Sequence, residues 1–240
     1  MTTYGLYLES GPQRRKTMVH VLELLGCVAV GPTTEGAIAA TPDAIRAYRR
    51  FLHRHVGPID PEAPFETRIV EHITQGDWLG NGSPYLVFGP DLEPVTPEEI
   101  ETFVSRFRWM REELADWTAT RTNQQLDAPP LAKGRSARAI LLHLLGRPVG
   151  GYLSAALGGT TGFHSLSSAA ERGEIGLPEA LRQVTAMAVE RVLAATPEQR
   201  AAVHERPKDI RTLRKALRRI LEHDWEHLAE LSRRRGGPPL

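Results

Sequence analysis

The hydrophobic residues of this chain change period once, near Gly89-Pro90-Asp91-Leu92-Glu93-Pro94, and that change limits the possible folds most. Before it, apolar and polar residues alternate: Tyr4, Leu6 and Leu8 share one face of a strand that Ser10-Gly11-Pro12 ends. Beyond it they recur at three and four, as in the stripe Phe103, Phe107, Met110, Leu114 and Trp117. A chain divided this way reads as α+β, with a small sheet preceding a set of helices. The proline- and glycine-rich hexapeptide between them is the expected linker. It divides an α/β module over 1–90 from a helical domain over 96–232.

In the first half, Thr17 to Leu25 is rich in β-formers and reads as a second strand, and Gly26-Cys27-Val28-Ala29-Val30-Gly31 as a short third. Pro32-Thr33-Thr34-Glu35 is a helix start, with a threonine cap and an acid in the first turn. The helix is expected to reach Arg54 or His55 and to bury Ile38, Ala44, Ile45, Tyr48, Phe51 and Leu52. Thr41-Pro42-Asp43 marks a kink or break within it, and Gly57-Pro58 its end. Two more strands, Phe65–His72 and Tyr85–Phe88, flank the turn Gly80-Asn81-Gly82. The expected product is a small antiparallel sheet with one packed helix.

In the second half, Thr96-Pro97-Glu98-Glu99 gives an N-cap, a proline at the first helical position and two acids in the first turn. A second helix is expected over about Ser136–Leu157, a third from Leu177 to near Thr196, and a fourth from about Asp209 to Arg233. Four amphipathic helices of this length imply an up-down four-helix bundle. Gly158-Gly159-Thr160-Thr161-Gly162 between the second and third lacks the lysine and preceding strand of a phosphate loop, and reads as a flexible connector.

At 240 residues with a net charge of +1, the chain can bury a full core and has no global attraction to nucleic acid or anionic membranes. Basic clusters such as Arg14-Arg15-Lys16 and Arg233-Arg234-Arg235 are offset by acids elsewhere. The single cysteine, Cys27, excludes an internal disulfide. The first residues lack a basic segment followed by an apolar core, and no apolar run is expected to approach the ~20 residues of a membrane span. A cytoplasmic location is the expectation.

The residues with the most chemical meaning are histidines. His223 and His227 are four apart in the fourth helix, so both imidazoles fall on one side, about one turn apart. At about 100° per residue they sit on the shoulder of the stripe Leu217, Ile220, Leu221, Leu228 and Leu231. His143 lies inside the apolar stretch Ala139–Leu145 of the second helix. If the two helices are neighbours, three neutral nitrogen donors meet and leave a coordination position open. Such donors suit Zn²⁺, Ni²⁺ or Fe²⁺. The competing reading makes the doublet, flanked by Glu222, Asp224 and Glu226, a solvated helix face, and His143 a hydrogen-bonded core residue.

Other candidates are weaker. Cys27 reads as a small core residue rather than a nucleophile. His53 and His55 face different directions, and His164 reads as an exposed loop residue that could instead line a site. His20, His72 and His204 have no evident partner. Arg211, Arg214, Lys215, Arg218 and Arg219 form a positive face, read as solvated, that could attract an anionic substrate or position a carboxylate.

Residues from about Thr96 to Leu231 resemble the DinB family of four-helix bundles. The resemblance rests on Ser136–Leu144 and on Thr212–Leu228. It implies a divalent metal on His143, His223 and His227, and for some members a transferase or isomerase activity using a low-molecular-weight thiol. More weakly, Tyr4 to about His55 resembles the HicB family, carried by Leu25-Gly26-Cys27-Val28-Ala29-Val30-Gly31-Pro32-Thr33-Thr34-Glu35-Gly36-Ala37. Gly36 stands where a second acid is usual, and no DNA-binding segment follows. The expected function is therefore that of a metal-dependent transferase, isomerase or hydrolase acting on a thiol or other small molecule. The alternative is a non-catalytic interaction protein whose first module serves packing, homodimerisation or partner binding.

Overall fold

The computed structural model describes residues 1–12, 16–130, 134–159 and 162–240. Arg14 and Arg15 of the first basic cluster, and Thr160 and Thr161 of the glycine-rich connector, lie outside the described residues. The first half builds a four-stranded sheet from β1 (Thr2–Ser10), β2 (Thr17–Val21), β3 (Cys27–Gly31) and β4 (Phe65–Ile73), in the order β3-β2-β1-β4. β1 pairs antiparallel with β2, and β2 with β3, but β4 runs parallel to β1. The sheet is thus mixed rather than antiparallel, and connectivity explains it. β3 points the same way as β1, and α1 (Thr34–Val56) carries the chain back, so β4 enters in the direction of β1.

α1 forms where its caps and apolar pattern direct. Thr33 Oγ1 accepts from Gly36 N at 3.0 Å, and Gly57, at φ 88°, stops the helix. Ile45, Tyr48, Phe51 and Leu52 are buried as read, while Ile38 and Ala44 are partly buried. The helix continues through Pro42, with the Thr41 hydroxyl donating to Ala37 O at 2.9 Å. Gly31 allows this packing, since a Cβ there would overlap the Ala37 backbone. Residues 85–88, expected as a strand, form none: Leu86 and Phe88 bury themselves against Tyr7 and Ile73, and a 3₁₀ turn, Gly89–Leu92, follows.

The second half contains α2 (Pro97–Ala119), α3 (Asn123–Asp127), α4 (Ala137–Leu145), α5 (Arg147–Leu157), α6 (Phe163–Glu171), α7 (Leu177–Leu193), α8 (Pro197–Ala201) and α9 (Leu213–Ser232). α2, α4–α5, α7 and α9 are the four bundle elements, with α2 against α7 and α9, and α5 against α9. Thr96 caps α2 as expected, and with Glu99 it closes a capping box, at 3.2 and 2.8 Å. The expected second helix divides at Gly146 into α4 and α5, and α6 is additional. A hairpin of β5 (His204–Arg206) and β6 (Asp209–Arg211) takes the start assigned to the fourth helix. That helix begins instead at Leu213, capped by Thr212 Oγ1.

One stretch is more apolar than expected. Ala137–Leu157 is long and apolar enough to cross a membrane by length and composition alone; here it is the α4–α5 pair, with nearly half of it inside the fold. A single apolar cluster runs from Tyr4 and Leu6 of the sheet to Leu228 and Leu231 of α9. Trp225 of α9 packs edge-on against Tyr48 of α1, with ring centroids 4.7 Å apart.

Candidate metal centre

α4 and α9 bring the three histidines together. Ser136 Oγ caps α4 by accepting from Ala139 N at 3.2 Å, and Ile140, Leu141, Leu144 and Leu145 are buried. His143 is left on the side facing α9, where His223 and His227 are one turn apart. Their ring centroids lie 4.7–5.3 Å apart, and every pair meets edge to face rather than stacked. One nitrogen from each ring falls within 4.8 Å of the other two, and the Nε2 atoms of His143 and His223 are 2.9 Å apart. Nitrogens on a tetrahedral zinc with bonds of about 2.0–2.1 Å stand about 3.4 Å apart, so small side-chain adjustments suffice.

The surroundings keep these imidazoles neutral, the form that binds metal. Burial, then Arg135 and His227, push His143 down to about 4. Burial, followed by its two histidine neighbours, holds His223 well below the usual range. Burial also lowers His227, against the opposing pull of Glu230. His227 Nδ1 lies 3.0 Å from Glu230 Oε2, and Arg234 holds the other Glu230 oxygen at 2.9 Å. A proton on Nδ1 donated to that carboxylate leaves the lone pair on Nε2 of His227, which stands 3.4 Å from Arg135 Nη2; carboxylate-backed imidazoles of this kind are common behind metal-bound histidines. His223 Nδ1 is buried with no hydrogen-bond partner among the described residues, and Asp224 Oδ1 is 4.0 Å away.

A cavity of about 450 Å³ opens on the His143 and His223 side. Tyr85, Pro148, Tyr152, Ala155 and Ala216 supply apolar wall, and Arg211, Lys215 and Arg219 supply charge. The turn 81–85 of the first half forms part of the rim. Gly82 is required there, because a Cβ would overlap the Arg219 guanidinium, which donates to Gly82 O at 3.0 Å.

The structure corrects the reading of the helix flanks and of the positive face. Glu222, Asp224, Lys215, Arg218 and Arg219 are buried, not solvated. Arg218 pairs with Asp91 at 2.7 Å and with Glu222 at 3.0 Å, and Arg219 with Glu222 at 2.5 Å. His20, for which no partner was evident, donates to Glu222 at 2.8 Å and stands 3.3 Å from Glu9. His72 meets Ser10 Oγ at 2.7 Å, and His55 bonds Glu113 and stacks on Trp109. Cys27 is a core residue whose thiol burial pushes up. His164 is exposed at the start of α6 and does not line the cavity. Sequence reasoning missed Arg135, Glu230 and Arg234; the i, i+3 spacing of His227 and Glu230 was the available signal.

No family model matches this chain, and no curated protein matches it. Among solved structures, the chain is similar to YfiT from Bacillus subtilis, described as a probable metal-dependent hydrolase with an unusual four-helix bundle topology. The match has a TM-score of 0.44 and 20% identity, and covers 59% of this chain and 90% of that one.

Proposed function

We propose that this chain binds one divalent metal ion, zinc, nickel or iron, on His143, His223 and His227, and uses it in hydrolysis or group transfer on a small molecule. The observation that carries the reading is the convergence of three neutral imidazoles, from two helices, at the side of a cavity. The resemblance of the second half to the DinB family agrees with it. A metal there would supply Lewis acidity and lower the pKa of an attacking water or low-molecular-weight thiol. The chain's own residues prepare the site: Glu230 orients the His227 ring, and an apolar stretch of cavity wall lies beside His143 and His223.

Elemental analysis of protein purified without a histidine tag tests the proposal. About one equivalent of metal per chain is expected. His223→Ala should reduce it to background while the far-ultraviolet circular dichroism stays helical. Absence of metal, with no uptake on reconstitution, would sink the reading. Glu230→Gln, which keeps the side-chain shape but weakens the hold on His227 Nδ1, should lower metal affinity about 10–100-fold in competition with a chelating dye.

A further inference from the structure

The same cavity carries a second chemical statement at its far end. Lys215 and Arg211 flank a single carboxylate, Asp209, at 3.0 and 2.5 Å. Two cations therefore share one anion. Lys215 Nζ uses a second donor on Ile210 O at 2.7 Å and keeps a third N–H, while Arg211, among the described residues, engages Asp209 through Nε alone. Arg219, deeper in the wall, has a buried Nε with no hydrogen-bond partner among the described residues. Arg219, however, is one turn before His223 and has its charge met by Glu222, so the spare donors and the one positive charge beyond what Asp209 offsets are those of Lys215 and Arg211, at the end of the cavity remote from the imidazoles. Between the two ends the wall is mostly apolar, with Tyr152, Pro148, Ala155 and Ala216 from the bundle and Tyr85 from the first half.

The geometry points to a small amphipathic carboxylate as the occupant, its anionic head on Arg211 and Lys215, its apolar body along the tyrosines, and its other end at the imidazoles. This deepens the metal-centre reading and rests on it for the reaction, though not for the binding. The cations are the donors suited to a carboxylate, and a guanidinium can engage both of its oxygens. A desolvated head group with two cationic partners gains over a neutral isostere, which would leave those donors unpaired. Length follows from the helix. Lys215 and His223 are eight residues apart on α9, about 12 Å along its axis, so the molecule is extended rather than compact.

The probe is 6-phenylhexanoate, titrated calorimetrically into the 240-residue chain as purified, beside its amide and acetate. The carboxylate should bind saturably and at least tenfold more tightly than either. Arg211→Gln should remove most of that preference, and Ala155→Trp, which fills the cavity without touching the charges, should abolish binding. Arg172→Gln, at an exposed pair with Glu174, should change nothing. Equal binding of acid and amide overturns the inference, as does carboxylate binding insensitive to Arg211→Gln, which would place the head elsewhere. If Lys215→Gln also folds, it should behave as Arg211→Gln. Metal content measured on the same samples separates the two readings. Arg211-dependent binding without metal leaves a carboxylate site and removes the metal centre; metal without carboxylate preference does the reverse.

Discussion

Glu222→Gln lowers the stability of this protein by about 3–5 kcal/mol, measured by urea denaturation in the presence of a chelator. The reason lies in what the carboxylate serves. Glu222 is fully buried and accepts from Arg218, Arg219 and His20. The amide keeps the volume and removes the charge, leaving two guanidiniums and an imidazole inside the protein without their shared counter-ion. Burial alone would raise the Glu222 pKa, but Arg218, His20 and Arg219 hold it well below the usual range. Burial alone would lower His20, and Glu222 and Glu9 reverse this, raising it.

The signs give a pH window. A depressed carboxylate contributes stability that is present above its unfolded pKa of about 4.3 and is lost as pH falls through the folded value. A raised histidine contributes stability that is fully present below about 6.5 and is lost as pH rises through its folded value. The difference between the two proteins should therefore be largest between about pH 4.3 and 6.5. A loss under about 1 kcal/mol in that window would contradict the buried network.

Arg111→Met has a comparable effect for a related reason, and reaches the proposed metal centre as well. Arg111 and Asp224 form a fully buried pair, Nε to Oδ2 at 2.5 Å and Nη2 to Oδ1 at 2.9 Å. Nη2 also donates to Leu144 O at 3.0 Å. One guanidinium on α2 therefore ties the residue after His223 on α9 to the residue after His143 on α4. Its loss leaves Asp224 buried and alone, a cost of about 3–5 kcal/mol. Arg111→Met with Asp224→Leu removes both charges and should recover most of the stability, since apolar replacement of a buried pair is often neutral. Metal affinity should stay below wild type in both variants, because the tie between the ligand helices is gone. Full recovery of affinity in the double variant would show that Arg111 acts on stability alone.

The sequence disclosed the parts whose signals are local. Thr33 and Thr96 cap helices where their side chains and positions indicate, and the change of period at 89–94 separates sheet from bundle. The three histidines could be proposed together because two share a helix face and the third sits in an apolar helix. What stayed hidden depends on partners distant in sequence. Arg218 and Arg219 look solvated until Asp91, Glu9 and His20 arrive from segments more than a hundred residues away. The parallel entry of β4 follows from the path of α1, which no residue within β4 records. The hairpin at 204–211 was too short to carry a periodic signal.

The burial of α9 on nearly every side has a consequence for how this chain can change over time. An ordinary amphipathic helix leaves its outer face to drift, and substitutions accumulate there with helical spacing. From Leu213 to Leu231, α9 meets the sheet, the bundle and the cavity in turn, and only scattered positions stay outside the interior. Its sequence is therefore constrained almost continuously. A change in either half that alters the surface facing α9 thus requires a matching change in this helix.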